Sequence, residues 1–579
     1  MILVLGIIAL VSSTAWAYVP TVTNAGAGVR WGGDHRLNLA GNPSNRSGID
    51  ESSFYHAVVR GLQRWNVASG GAAQFDYWQG TDPKSFPPNS DFNGLSSIYF
   101  SSNSGTPLSQ NVLGLTQVWY DTASGRILES DIVLNDVAYH FTTNPTDTSG
   151  YGSAHASGNN VFIENVVTHE IGHAFGLSHS GGLQSTMLFM ESPEQAYLGC
   201  DEQIGIRALY PSAQDNQRGA IHGKVTGPGG ATVFGAHILA VSRRRGTVLA
   251  TGITDSAGNY TISALEPGNY FLIAEPYFAG AGALPSYYAK INPVICSGEA
   301  FGRTVLTDEN PNRPHPVVVT SSGVVSVPPI AVSCGKNSGA SVPIETAAGS
   351  FWSAPVLADA SSRGFGAVSE MNSTGVVDYR LNHIGGKLEI HSLAYTLYSP
   401  IHTVVRLFDS NGSPVTTHVS ETAFTGGSGY TNYDSSLTVD DLPSDNYVLE
   451  VSSSALVASV YPAGPLALDS VPFFMITGSV NEAGAPLAST LAPNARCKMS
   501  ENFPDYSSPA GGPRRSAALI VPLKSDGTGF CGTISNDSEK AEFGAIAGWF
   551  LPWIFMVIIL PMSRRWVLRV QRAPVTLVK

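Results

Sequence analysis

Apolar residues recur every three or four positions in ESSFYHAVVRGLQRW, 51–65, where Phe54, Val58, Leu62 and Trp65 share one helical face. That spacing predicts an amphipathic helix with Ser47 or Asp50 as its N-cap. Runs of strand character follow at 97–100, 114–120 and 127–134, and a second helix is predicted from about Asn160 into THEIGHAFGLSHS, 168–180. After Pro211 the period changes. Between 220 and 274 short alternating runs such as AHILAVS and LEPGNYFLIAE are broken by Gly and Pro, the pattern of a small antiparallel sandwich. Runs at 317–319 and 324–330 complete it after a Pro-rich excursion. A second sandwich is predicted over 344–480, with strands at 376–381, 387–391, 404–409, 436–439 and 447–451. Pro, Ser and Gly dominate 482–541, which reads as a linker or stalk.

Both ends of the chain carry apolar runs. Residues 2–11 followed by Ala15-Trp16-Ala17 read as a signal peptide over 1–17. Residues 543–562 contain no charge over a length that can span a bilayer, so a C-terminal transmembrane helix is expected there. Arg564, Arg565, Arg569, Arg572 and Lys579 then mark 563–579 as a basic cytoplasmic tail. Cys531 lies ahead of the span in GTGFCGTIS, and together these features resemble the tripartite C-terminal sorting signals of bacterial surface proteins. The expected location is outside the cell, at the envelope or surface, with the span retained as anchor or removed by processing.

Composition fits that picture. Charged residues are only 13% of the 579, against roughly 25% in an ordinary soluble domain. With 61 Gly and 36 Pro, this favours β-rich extracellular modules, and 43% apolar residues exclude a disordered chain. A net charge of −12 excludes nucleic acid as a partner. Of five cysteines, Cys296 and Cys334 can pair within one module, and the odd total leaves at least one without a disulfide partner. Nothing in the sequence sets an oligomeric state.

The chemistry concentrates at 168–180. His169 and His173 stand four apart, so on a helix both leave the same face and can reach one ion. Glu170 lies beside them, in reach of a metal-bound water. Gly176 permits a left-handed turn that brings His179 round as a third ligand. Three neutral imidazoles with an open fourth position describe a catalytic zinc site. Asp131, Asn135 and Asp136 could bind calcium, the alternative being a plain acidic strand end.

HExxHxxGxxH is the pattern of the metzincin metallopeptidases, and 29–211 resembles their matrixin branch. Met187, eight residues after His179, Ser180 directly after that histidine, and the closing DEQIGIRALYP carry the closer likeness. The resemblance implies an α/β metzincin fold with one Zn2+ held by His169, His173 and His179. It also implies Glu170 as catalytic base, with Met187 and Gly176 in structural roles. VLGLTQVW, 112–119, resembles the edge strand that metzincins pair with an extended peptide substrate. Three departures stand out. No Cys precedes Cys200, so the cysteine switch is absent. Only His140 and His155 occupy the region of the structural-zinc loop. Phe189-Met190-Glu191 replaces the Pro-x-Tyr of many matrixins.

Asp255, Gly258, Tyr260 and the LEPGNY turn resemble carboxypeptidase regulatory-like modules, here over 218–335. VVDYRL, VVRLFDSNG and LTVDDLPSDNYVLEVS resemble the pre-peptidase C-terminal sandwich, over 344–480. The expected fold class is thus a multidomain chain. It comprises an α/β metzincin domain at 18–214, two β-sandwich domains and a C-terminal transmembrane helix. The implied function is an exported zinc endopeptidase acting on protein or peptide substrates. The alternative is an envelope adhesin or binding protein with a vestigial or single-substrate peptidase unit.

Overall fold

The computed structural model describes 18–277 with gaps, chiefly at 80–91, 146–159 and 190–194. It further describes 296, 301–334, 344, 354–456 with short gaps, 472–481 and 530–536. The expected signal peptide at 1–17, most of the stalk, the apolar run at 543–562, the tail at 563–579 and His155 lie outside the described residues.

The first unit places helices against one face of a mainly parallel sheet. Its elements are β1 (Arg36–Gly41), α1 (Glu51–Ala68), β2 (Gln74–Gln79), β3 (Ser97–Phe100), β4 (Val112–Tyr120) and β5 (Ile127–Leu134). Then come β6 (His140–Thr142), β7 (Asn160–Phe162), α2 (Ile163–Ala174) and α3 (Cys200–Leu209). As the periodicity of 51–65 predicts, Phe54, Val58, Leu62 and Trp65 are all buried. Asp50 is the cap, its side chain accepting from Ser53 N at 3.0 Å. Strands run β2-β1-β3-β5-β4, with β4 antiparallel to β5. A final strand from far along the chain, β23 (Phe530–Asn536), lies parallel to the outer edge of β4.

The second unit is a small sandwich with nine strands among its described residues. These are β8 (Gly219–Thr226), β9 (Ala236–Ser242), β10 (Thr247–Ile253), β11 (Asn259–Leu265) and β12 (Gly268–Pro276). Four short strands complete it: β13 (Thr304–Val305), β14 (Val317–Val319), β15 (Val324–Ser326) and β16 (Ile330–Ala331). One sheet is β10-β9-β12-β13 with β14 on β12, the other β11-β8-β15 with β16 on β8. Cys296 and Cys334 are joined by a disulfide inside this unit.

The third unit contains β17 (Val356–Ala358), β18 (Gly364–Glu370), β19 (Val376–Leu393), β20 (Ile401–Phe408), β21 (Ser436–Leu456) and β22 (Phe473–Val480). Here the strand pattern needs correction. The runs at 376–381 and 387–391 are one 18-residue strand, and those at 436–439 and 447–451 belong to one 21-residue strand. Bulges between Leu381 and Leu388 bend the pair without ending the ladder, so the apolar pattern is interrupted while the pairing continues.

The expected fold class also needs correction. Most elements are strands, and beyond a single turn at Ser101–Ser104 the described α-helices number three, all in the first unit. None of these is long and apolar enough to cross a membrane. The 18-residue α1 is long enough, but it carries Glu51, Arg60 and Arg64 and is amphipathic. A C-terminal transmembrane helix in the fold class is therefore not supported, and no helix among the described residues supports anchoring in a membrane. An uncharged run marks avoidance of water, which strands and buried segments share with spanning helices.

The units are packed together rather than strung apart. One apolar core passes from Trp65, Ile171 and Leu209 into Ile221, Val225 and Tyr260 of the second unit. A second cluster joins Leu239, Val241 and Phe271 to Val368, Phe473 and Met475 of the third.

Candidate metal centre

Every residue of α2 is buried, so this helix is held on all sides. Its first turn is anchored by Glu164, which pairs with Arg60 and, at 3.0 Å, with Arg64 of α1. Midway, Trp65 Nε1 donates to Thr168 O at 2.8 Å. At its end the last carbonyls find donors from distant chain: Trp31 Nε1 to Ala174 O (2.9 Å), Tyr210 OH to Phe175 O (2.8 Å) and Thr21 N to Gly176 O (2.7 Å). Gly176 sits at φ +96°, and a Cβ there would collide with Val29 O. The left-handed turn expected at this glycine is present, and close backbone approach adds a second reason for it.

The turn brings His179 to the two helical histidines. His169 Nε2 and His173 Nε2 are 3.1 Å apart, and His173 Nε2 and His179 Nε2 are 3.3 Å apart. All three rings are fully buried. His169 Nδ1 bonds Thr186 O at 2.7 Å and His173 Nδ1 bonds Leu177 O at 2.9 Å. A carbonyl only accepts, so each of those Nδ1 atoms carries the hydrogen, and each Nε2 presents a lone pair to its neighbours. Burial, with His179 beside it, pushes His169 down to about 3. Burial, His169 and His179 hold His173 well below the ordinary value. Neutral imidazoles with facing lone pairs repel one another unless a cation lies between them. Tetrahedral zinc with Zn–N bonds of about 2.0–2.1 Å sets ligand nitrogens about 3.3 Å apart. The observed spacings fit that ion, and this trio is the group of potential ligands found among the described residues.

The Glu170 carboxylate is directed toward β4. Thr116 Oγ1 donates to Glu170 Oε2 at 2.6 Å, with both residues buried. A side chain on Gly114 would meet Glu170 Oε1 at 2.7 Å. β4 can thus pass close to the carboxylate only because residue 114 has no Cβ. Met187 lies beneath the helix, its Sδ against Gly172, and its N–H donates to Glu202 Oε1 at 3.0 Å. Burial and the adjacent Asp201 push Glu202 up to about 7. Phe189 stands edge-on to His179 with ring centres 6.4 Å apart.

Four contributors are not picked out by the sequence. Gly114 and Thr116 lie two apart in a strand and so share a face, a signal present in VLGLTQVW. Gly172 is a glycine inside a helix, which costs about 1 kcal/mol against alanine and asks for a packing reason. Tyr277, described below, left no local signal at all. The acidic strand end, by contrast, is not brought together as a calcium site. Asp131 accepts from Ser97 N and Oγ, and Asp136 from Arg46 N and from Ser102 N and Oγ. Asn135 spends its amide on Ser109 O and Val112 O. With those oxygens engaged by donors, calcium is dropped as a cofactor. His140 is an exposed residue on β6.

Residues 67–211 match the family model of the matrixins, and 220–279 match that of the carboxypeptidase regulatory-like domain. The chain therefore carries a matrixin domain followed by a carboxypeptidase regulatory-like domain. Among solved structures, the pre-peptidase C-terminal domain of collagenase from Bacillus anthracis is similar at 10% identity, covering 22% of this chain and 94% of that one with a TM-score of 0.14. No curated protein matches the chain.

Proposed function

We propose that this protein is an exported zinc-dependent endopeptidase. His169, His173 and His179 are its metal ligands, Glu170 its general base, and Met187 and Gly176 its structural supports. The carrying observation is the convergence of three buried Nε2 atoms at zinc-like spacing, with Glu170 one residue along the same helix from His169. The matrixin match to 67–211 supports a metallopeptidase, and the neighbouring modules, of extracellular type, support export. Zinc held by this trio would lower the pKa of a water toward neutrality and polarise a peptide carbonyl.

The protein's own residues do the rest. Glu170 takes a proton from the attacking water and hands it to the leaving amine. Thr116 holds the carboxylate in one rotamer through its 2.6 Å bond. The outer edge of β4 offers backbone N–H and C=O groups to an extended peptide, giving affinity with little sequence selection. That this edge accepts an added strand is visible in the chain itself, where β23 pairs with it from Phe530↔Val112 to Asn536↔Trp119. Its modules span 18–214, 218–335 and 344–480.

Glu170→Gln should keep stoichiometric zinc while casein cleavage falls by about 10²–10⁴-fold through loss of the base. Near wild-type turnover in the zinc-loaded variant sinks the assignment. His173→Ala should lose both metal and activity, and full zinc content by elemental analysis would show that the ligand set is wrong.

A further inference from the structure

Two of the three histidines ride on α2, but His179 lies on a loop past the helix end. Part of what holds that loop comes from the second unit. Tyr277, just after β12, donates from its hydroxyl to His179 O at 2.7 Å. The phenol is buried, and burial, with Asp201 nearby, raises its pKa, so it remains a donor. Its ring is backed by His237, with centres 5.7 Å apart. His237 Nδ1 lies 3.1 Å from Glu275 Oε1, and Arg303 Nε donates to Glu275 Oε2 at 3.1 Å. Burial works to raise Glu275, but Arg303 and His237 outweigh it and hold the group below its ordinary range. Tyr277 is thus seated on a buried, bonded framework of the second unit.

Residue 180 is tied to the same unit. Ser180 Oγ donates to Asp201 Oδ2 at 2.8 Å. That carboxylate also accepts from Thr251 Oγ1 at 2.8 Å and, through Oδ1, from Thr251 N at 2.6 Å. Consecutive residues of the ligand loop therefore meet β10 and Tyr277, both outside the 67–211 match.

Resting on the zinc reading above, we infer that Tyr277 is a positioning residue for the third metal ligand, and that the second unit completes the metal centre rather than accompanying it. A hydrogen bond to the ligand residue's own carbonyl limits rotation of the loop, so His179 Nε2 is delivered to the other two without an ordering cost on metal binding. Groups that orient a ligand from outside the coordination sphere typically change metal affinity by about 10–100-fold when removed.

The test uses the full chain with Tyr277→Phe, which keeps the ring and removes only the donor. Tyr260→Phe serves as control, since Tyr260 is a buried tyrosine of the same unit whose hydroxyl has no bond to the loop. Zinc dissociation constants come from competition with a chromophoric chelator, and visible spectra from the cobalt-substituted proteins. Expected is a zinc Kd weaker by about tenfold in Tyr277→Phe, with an altered cobalt spectrum and no change in Tyr260→Phe. Wild-type affinity and an unchanged cobalt spectrum in Tyr277→Phe overturn the inference. An equal loss in both variants also overturns it, by showing a general effect of the unit's packing. Failure of the wild type to bind zinc would instead strike the zinc reading itself.

Discussion

Replacing Gly172 by alanine sets two large effects against each other, and the structure says which wins. In an ordinary helix interior the change gains about 1 kcal/mol, because alanine has the higher helix propensity. Here the new methyl would collide with Met187 Sδ and stand 2.7 Å from Trp65 Cζ2. Neither neighbour can easily retreat. Trp65 is fully buried and tethered through Nε1 to Thr168 O, and the Met187 backbone is bonded at its N–H to Glu202 and at its carbonyl to Ser180 N. Overpacking of a filled core costs about 1–3 kcal/mol, and two buried contacts at once place this site in the upper part of that range. The net expectation is a loss of about 1–2 kcal/mol where propensity alone forecasts a gain. Urea unfolding of the chelated protein, followed by tryptophan fluorescence, measures it. Met187→Leu, a near-isosteric swap, should cost less than about 1.5 kcal/mol in the same assay. Combining Gly172→Ala with Met187→Ala should cost at least about 0.5 kcal/mol less than the sum of the single changes, because one removes what the other strikes. A Gly172→Ala protein as stable as wild type, or more so, would refute the packing of methionine against the ligand helix.

Two further outcomes follow from the same site. The folded-state pKa of Glu202 lies near 7, above its ordinary 4.5, so protonated Glu202 contributes stability that is fully present below 4.5 and lost as pH rises through about 7. Glu202→Gln mimics the protonated form and should gain stability relative to wild type as pH goes from 5.5 to 8.5, and a pH-independent difference in urea midpoint would contradict this. Thr533→Pro removes a backbone N–H from β23, which pairs with β4 at Thr116. It should speed amide exchange across 112–119 and lower KM for peptide substrates, and unchanged exchange would show that β23 does not occupy that edge in solution.

The sequence alone determined whatever depends on neighbours a few residues apart. Helical spacing puts His169 and His173 on one face, and the same spacing buries Phe54, Val58, Leu62 and Trp65. Gly176 declared its turn because a left-handed residue without a Cβ leaves a mark in composition. Turn chemistry between 220 and 274 likewise revealed a sandwich, since Gly and Pro act locally. Where the third unit bulges instead of turning, that local signal misled, and two long strands read as four short ones.

Only the tertiary structure decided how the centre is completed. Thr116 reaches Glu170 across 54 residues, and Tyr277 reaches His179 across 98. Such bonds depend on how sheet and helix, or unit and unit, are docked, and docking follows from summed burial over whole faces rather than from any short run of residues. A candidate metal ligand can therefore be read from its spacing, while the groups that would aim it become visible only once the fold has brought them there.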